Sequence, residues 1–343
     1  MIVSVIVGLL NEEKYLPKLI EDFKNQTYPK EKIELIFIDG MSDDKSFDIL
    51  EKFKKSNKEF RKILLLKNPK KILSAGMNIG IKKATGEAFL KVDCHSHITK
   101  DFIYQNVKTI ESGEKVCGGP RPNIIENDDA FSKTLLLVEE NVFGSGIANY
   151  RKKSDNNKIK YVKSVFQGMY KREVFERVGL LDEKVGRVED NELHYRIRKH
   201  GYKIAYNNNI LSYQYTRPNF KKMLKQKFSN GLWIGRVSHI YPKCFSIFHF
   251  APFCFVLALI LTLFLTIFTY LPLIILLLCY FIPIIFLSIY TIFKNENNKY
   301  NFLLPLLIFL IHISYGFGSI EGLMQGFKWK KIYLKEKNIE YLK

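Results

Sequence analysis

Ile36-Phe37-Ile38-Asp39-Gly40-Met41-Ser42-Asp43-Asp44 reads as an apolar strand that ends on a carboxylate and runs into an acidic turn. An unbroken apolar run bounded by a Gly-containing turn suits a strand buried on both faces, as in the interior of a parallel sheet. An Asp at the end of such a strand can accept hydrogen bonds from a base or a ribose, and Gly40 lets backbone approach closely. The competing reading is a helix cap with an acidic first turn; it fits Asp43 and Asp44 better than Asp39.

Working outward, Ile2–Val7 is a second buried strand, and Asn11 is placed to cap a helix carrying Leu16, Leu19, Ile20 and Phe23 on one face. Downstream the pattern gives a strand at Ile33–Ile38, a helix over about 44–55, a strand at Ile63–Leu66, a small-residue helix capped by Ser74, and a strand at Ala88–Val92. Helical stretches near 129–140, 171–178 and 189–200 follow, the last two stopped by Gly179 and Gly201. Such alternation predicts an α/β fold with a doubly wound, mostly parallel sheet. Ligands in such sheets sit beyond the carboxyl ends of the strands, so polar residues just after strands carry the most weight.

Two further stretches meet that criterion. Val92-Asp93-Cys94-His95 ends a strand, and in extended chain residues i and i+2 point the same way. Asp93 and His95 are thereby candidates for one divalent cation, Mn²⁺ or Mg²⁺, with diphosphate oxygens and water completing its shell. His97 reads as a solvated or helix-capping histidine. Glu189-Asp190 opens a helix, whose N-terminus favours an ionised carboxylate that can take a proton; ordinary capping is the competing reading.

The chain has 343 residues, with 53 Lys and Arg against 34 Asp and Glu, a net charge of +19. With 47% apolar residues and 14% aromatic it is not a disordered chain. The composition is uneven, however. No Asp, Glu, Lys or Arg occurs from Cys244 to Phe293, a stretch that as helix spans about 75 Å and can cross a hydrocarbon core of about 30 Å twice. A second uncharged stretch runs from Tyr300 to Ile320, which excludes a simple soluble protein. Seven cations (Arg217, Lys221, Lys222, Lys225, Lys227, Arg236, Lys243) and no acid fall in 217–243. Beside an apolar stretch they favour an anionic membrane surface over nucleic acid. Five cysteines without a C-x-x-C pair suggest neither a zinc site nor a disulfide framework. The apolar start meets Asn11-Glu12-Glu13 and lacks a basic lead, so it reads as a strand and not a signal peptide.

The resulting organisation is a catalytic domain at 1–216, a basic amphipathic interfacial segment at 217–243, two or three transmembrane helices within 244–322, and a Lys-rich tail at 323–343. A helical hairpin near 247–293, turning at about 270–272, returns the chain to its starting side. If 301–320 also crosses, the tail lies outside, against the positive-inside tendency. His312, Gly316 and Gly318 instead suit a re-entrant or interfacial segment with the tail inside.

Taken together, several motifs carry a family resemblance: Val3-Ser4-Val5-Ile6-Val7 with Asn11-Glu12-Glu13, Asp39-Gly40-x-Ser42-x-Asp44, Gly86-Glu87 before Val92-Asp93-x-His95, and Phe143-Gly144-Ser145-Gly146 with Tyr150-Arg151. Gly168-Met169-Tyr170-Lys171-Arg172-Glu173-Val174-Phe175 and Glu189-Asp190-Asn191-Glu192-Leu193-His194-Tyr195-Arg196 complete the set. This set resembles family 2 glycosyltransferases of the GT-A fold, closest to the succinoglycan-biosynthesis branch. The resemblance implies that Asp39 reads the nucleotide, taken as its uracil, and that Glu12 lies in the nucleotide pocket. It puts Asp93 and His95 at the metal-binding D-x-D position, makes Asp190 the general base and sets Glu189 beside it. Gln226 and Trp233 look like a loose version of a Q-x-x-R-W element that closes over donor and acceptor, with longer spacing and no Arg. Leu9-Leu10 replaces the usual Pro and aromatic, and Lys163 stands where that branch usually has Asp.

The function implied is an inverting, metal-dependent transfer of sugar from a nucleotide-sugar, a UDP-sugar in this reading. Its acceptor is a polyprenyl-diphosphate-linked glycan at the cytoplasmic face of the cell membrane, in exopolysaccharide or cell-surface glycan synthesis. The alternatives are a polyprenyl-phosphate sugar synthase and, from another class, a non-catalytic membrane scaffold that binds nucleotide sugar.

Overall fold

The computed structural model describes residues 1–146, 158–217, 219–294 and 298–341. The chain divides into two compact units, Met1–Pro122 with Asn149–Tyr215, and Asn123–Ala148 with Thr216–Lys343.

The first unit is a sheet covered by helices. Its elements are β1 (Val3–Leu9), α1 (Leu16–Lys24), β2 (Ile33–Asp39), α2 (Ser46–Ser56), β3 (Lys62–Lys67), α3 (Leu73–Lys83), β4 (Ala88–Lys91), β5 (Ser96–Ile98), α4 (Phe102–Glu111) and β6 (Val116–Gly118). The order β3-β2-β1-β4 is parallel throughout, with Leu9 level with Asp39 at the carboxyl ends. Val3, Val5, Val7, Leu35 and Phe37 face one buried cluster while Ile6, Ile36 and Ile38 face the other, as a sheet covered on both sides requires. At the opposite end of the strands, Ser4 Oγ donates to Glu34 Oε2 at 2.6 Å, and the Thr85 amide donates to the same oxygen at 2.8 Å.

In the second part of the chain, β7 (Asn123–Ile124) and α5 (Ala130–Glu140) precede β8 (Lys160–Tyr161), β9 (Met169–Lys171), α6 (Arg172–Val178), α7 (Glu189–Lys199), β10 (Ala205–Tyr206) and β11 (Ser212–Tyr215). Strand β9 runs antiparallel between β4 and β6, a strand too short to show in the sequence pattern. Gly179 and Gly201 stop their helices at φ 83° and 85°, as expected.

Two capping expectations are corrected. Asn11 is left-handed (φ 56°) and caps nothing, since α1 begins at Leu16 after Tyr15. Ser74 lies inside the first turn of α3, and its buried hydroxyl has no hydrogen-bond partner. Tyr150-Arg151 lies outside the described residues.

The second unit contains α5, α8 (Phe220–Ser238), α9 (Ala251–Leu265), α10 (Leu271–Lys294) and α11 (Leu304–Tyr341). Among the described residues, three helical stretches are long and apolar enough to cross a membrane: Ile247–Leu265, Leu271–Lys294 and Lys299–Lys337. Helix α11 is one unbroken helix of 38 residues, so Gly316 and Gly318 make no re-entrant turn in it. Those glycines serve close packing instead. Gly318 and Gly322 face the backbone of Phe228 and Leu232 on α8, while Gly231 of α8 faces the Tyr315 carbonyl, so the two helices run side by side in the same direction. Met223, Ile234 and Val237 of α8 are buried, and Lys221, Lys222 and Lys225 stay exposed. Overpacking a closed contact costs about 1–3 kcal/mol. Gly322→Leu is therefore expected to lower the thermal unfolding midpoint in detergent by several degrees, whereas an unchanged midpoint would mean that the α8–α11 contact is loose.

Candidate active site

The site grows from the carboxyl ends of β1, β2 and β4. The loop after β1 and the loop after β2 are laced together. The Asn11 amide donates to Ser42 Oγ (2.9 Å), Asn11 Oδ1 accepts from the Asp43 amide (3.0 Å), and the Glu12 amide donates to Ser46 Oγ (2.8 Å). The Glu13 amide donates to Asp44 Oδ2 at 3.0 Å, and Glu13 Oε2 accepts from the Lys45 amide at 3.0 Å. Asp39 is buried and accepts Ser42 Oγ–H at 2.6 Å, so its carboxylate is fixed within the loop and does not cap α2. Gly40 is required here, since its amide donates to the Leu9 carbonyl at 2.8 Å and a Cβ would crowd that same oxygen. Leu10 and Met41, 42% and 40% exposed, leave apolar surface on these two loops.

Beyond β4 the reasoning from extended chain does not hold. The strand ends at Lys91, and Cys94 and His95 lie in a turn, so Asp93 and His95 do not share a strand face. Each has its own neighbour: His95 Nδ1 lies 3.3 Å from Glu12 Oε1, and Asp93 Oδ2 lies 3.6 Å from Arg121 Nη1. Among the described residues no three His, Cys, Asp or Glu side chains gather as a metal cage. An oxygen- and nitrogen-donor pair at the open end of a sheet still fits a divalent cation that draws most of its shell from a bound diphosphate and water. His97 caps no helix, and a third of its side chain is exposed. Its Nδ1 pairs with Asp22 at 2.8 Å and its ring stacks on Tyr213, a packing role.

The densest charge lies where α7 starts. Lys91 Nζ donates to both Asp190 oxygens at 2.8 Å and lies 3.7 Å from Glu189 Oε1. All three are buried, at 5%, 8% and 7% exposure. Burial works against the Lys91 charge, but Asp190, Asp93 and Glu189 outweigh it and keep the amine protonated. The capping alternative for Glu189-Asp190 fails, since α7 has no side-chain cap and Asp190 spends both oxygens on Lys91. The helix is held rigidly: Arg196 makes a bidentate pair with Glu192 (2.5 and 2.7 Å) and donates to the carbonyls of Val178 and Leu180. Behind it His194 bridges Ser164 Oγ and Tyr170 Oη at 2.8 Å each, pushed down to about 4 by burial, hence neutral at physiological pH.

Lys91, Arg121 and His194 escaped the sequence reading. The signal available for Lys91 was a lone cation inside an otherwise apolar strand. Gln167 is another: it is buried at φ 50°, two residues before β9, and neither of its amide atoms has a hydrogen-bond partner among the described residues. Gln226 and Trp233 lie on α8, in the second unit. There Trp233 meets Trp329 edge-on (6.4 Å between centroids), with the Arg236 guanidinium 5.1 Å over its ring.

Burial pushes Glu189 up to about 7, Lys91 pulls the other way, and Asp190 adds to the rise. An unfolded Glu ionises near 4.5, so between these values the native state holds more protons and stability falls as pH rises through the window. Glu189→Gln should flatten that fall: its difference in melting temperature between about pH 5 and about pH 8 is expected to be smaller than the parent's. An equal difference would mean that Glu189 is ionised throughout.

Residues 4–179 match the model of Glycosyl transferase family 2. A dolichyl N-acetyl-alpha-D-glucosaminyl phosphate 3-beta-D-2,3-diacetamido-2,3-dideoxy-beta-D-glucuronosyltransferase of Methanococcus voltae is 30% identical over 331 residues, which cover 94% of this chain and 98% of that protein. Succinoglycan biosynthesis protein ExoA of Rhizobium meliloti is 23% identical over 233 residues, 66% of this chain and 67% of its own. In fold, the chain resembles S. aureus TarS 1–349 in complex with UDP-GlcNAc, with a TM-score of 0.50 at 16% identity, over 68% of this chain and 66% of that one. A GT-A-type sheet, its ligand-side loops and this family match agree: the chain belongs to glycosyltransferase family 2.

Proposed function

We propose that the protein is a membrane-anchored, inverting glycosyltransferase that moves a sugar from a UDP-sugar to a hydroxyl of a lipid-linked glycan in cell-surface glycan synthesis. The observation that carries this reading is the buried carboxylate of Asp190, oriented through both oxygens by Lys91 at the ligand end of the sheet. A carboxylate oxygen has a second lone pair, so Asp190 can receive the acceptor's proton while Lys91 holds its orientation. A single displacement with a base on the acceptor side inverts the anomeric carbon. A phosphate acceptor is already an anion and needs no base, so Asp190 favours a hydroxyl acceptor over a polyprenyl phosphate. It also counts against a scaffold, which needs no base at all.

On the donor side, Asp39 sits between the exposed apolar Leu10 and Met41, a setting that suits a flat base with a polar edge. Glu12 and His95, 3.3 Å apart, lie on the loops after β1 and β4. Asp93 and His95 would hold a divalent cation, whose chemistry is neutralisation of the departing diphosphate. A lipid-linked acceptor is supported by the dolichyl-linked substrate in the name of the M. voltae relative and by the apolar helices, which give proximity to a substrate diffusing in the bilayer.

Sugar nucleotides are cytoplasmic, which puts the first unit inside. Within the second unit, α9 and α10 leave most apolar side chains exposed, Phe264 at 62% among them. The first half of α11 is instead covered by α5 and α8 along a polar seam. On α11 Ser314 Oγ donates to the Leu224 carbonyl (2.9 Å); just before it Asn301 Oδ1 accepts from Thr134 Oγ1 (2.8 Å), and Lys227 of α8 pairs with Glu139 of α5 (2.8 Å). Polar groups of this kind are costly in hydrocarbon. In this reading the α9–α10 hairpin enters the bilayer and α11 lies at its cytoplasmic face, with the tail inside.

Asp190→Asn is expected to reduce transfer by about 10³-fold or more, with UDP binding in the presence of Mn²⁺ nearly intact. Equal loss of both would place Asp190 in the nucleotide pocket or the fold. With Cys254 and Cys279 replaced by Ser, a cysteine at Lys335 should stay unlabelled by an impermeant thiol reagent in intact cells; labelling would put the tail outside.

A further inference from the structure

Helix α11 has two unlike sides. Gly322, Gly326 and Tyr333 are buried against Leu232, His239 and Tyr241, on α8 and the turn after it. Opposite them, Phe317, Met324, Lys328, Lys331 and Lys335 follow one another at the spacing of one helical face, and all are exposed. The stripe changes character along its length. Phe317 and Met324, with Phe327 on the flank, leave 47%, 75% and 70% of their surface open, and the lysines come next. Glu321 also lies on the stripe and accepts from Gln325 Nε2 at 2.7 Å, so cations prevail there.

Length and neighbours decide what such a stripe meets. As helix, 38 residues span about 57 Å, nearly twice a hydrocarbon core of about 30 Å, and lysines in mid-bilayer are costly. The lysine end of α11 therefore lies outside the hydrocarbon. Aromatic side chains with polar edges gather at the same level. Trp329 meets Trp233, and Tyr333 Oη lies 2.8 Å from Tyr241 Oη, with Lys337 Nζ donating to both (2.8 and 3.1 Å). Trp and Tyr concentrate where hydrocarbon gives way to headgroups. Apolar side chains followed by lysines on one face suit that layer, the former below the phosphates and the long lysine stems bringing ammonium groups up to them.

We propose that the outer stripe of α11 docks on anionic phospholipid, so that acidic lipid gathers around this helix. Phe317, Met324 and Phe327 enter the acyl boundary, and Lys328, Lys331 and Lys335 bind headgroup phosphates. The inference rests on the placement of α11 at the cytoplasmic face given above. A zwitterionic lipid also carries phosphate, but its own ammonium offsets that charge; only an acidic lipid offers the lysines a surplus. The rival occupant is a second copy of this chain.

Both tryptophans of the chain, Trp233 and Trp329, lie at this seam and report on it without a label. The full chain is reconstituted in vesicles of equal parts phosphatidylcholine and phosphatidylglycerol, with bromine near the top of the acyl chains of one lipid or the other. Tryptophan quenching then reads which lipid surrounds the seam. Brominated phosphatidylglycerol is expected to quench as though enriched about 3-fold or more over phosphatidylcholine. High salt, or Lys328→Gln, Lys331→Gln and Lys335→Gln together, should bring that ratio close to unity. Equal quenching by the two lipids overturns the proposal, as does an enrichment that the triple variant keeps. Quenching by neither lipid also overturns it, because water or a second copy then covers the stripe. Should the triple variant fail to fold, the salt series on the parent decides: a ratio that falls supports the proposal, and one that salt leaves unchanged overturns it. A parent that alkaline carbonate strips from the vesicles overturns the membrane anchoring itself, a result distinct from these.

Discussion

The interaction on which the rest depends is the buried ammonium of Lys91 held between Asp190 and Glu189. Two carboxylates at the start of one helix, both removed from water, repel each other and lose solvation. A cation supplied from the neighbouring strand is what makes their burial tolerable. The geometry follows from the sheet. Lys91 ends β4, α7 begins with Glu189, and the Glu192–Arg196 pair with the carbonyls after α6 keeps that start in place. Taken singly, the ion pair is weak evidence for stability, because apolar residues of similar volume would pack as well. In the proposed reading Asp190 is the base, held in position at the ligand end of the sheet by Lys91.

Around this centre, charge is distributed by element. The β1 and β2 loops supply Glu12 and Asp39 within a lattice of backbone-to-side-chain hydrogen bonds, and the turn after β4 supplies Asp93 and His95. The extension of β6 supplies Arg121. In the proposed reading the donor meets residues that follow β1, β2 and β4, and the acceptor's proton meets α7. Such separation suits a displacement in which leaving group and nucleophile act from opposite faces of one carbon.

Much of this was legible in the chain. Apolar runs ending in Asp39 and Asp93, with helical periods between them, define the sheet because burial on both faces leaves few alternatives. Glu189-Asp190 was visible as a pair, and as a base only through the family resemblance, since helix starts attract carboxylates for capping alone. Lys91 could not be assigned from sequence, because its partner is 99 residues away and only the fold brings them together. Asn11 and Ser74 were read as caps by local chemistry; tertiary contacts took Asn11 into a loop lattice and left Ser74 inside a helix. Gly316 and Gly318 were read as marks of a re-entrant or interfacial segment; that they let other helices lie close depends on neighbours absent from the local pattern.

The central claim is a single displacement assisted by one base. The most direct test is the anomeric configuration of the new linkage, read by proton NMR on the product formed from whichever UDP-sugar turns over. Inversion relative to the donor is the predicted result. Retention would demand a second nucleophile and a covalent or ion-paired intermediate, and would contradict the role given to Asp190.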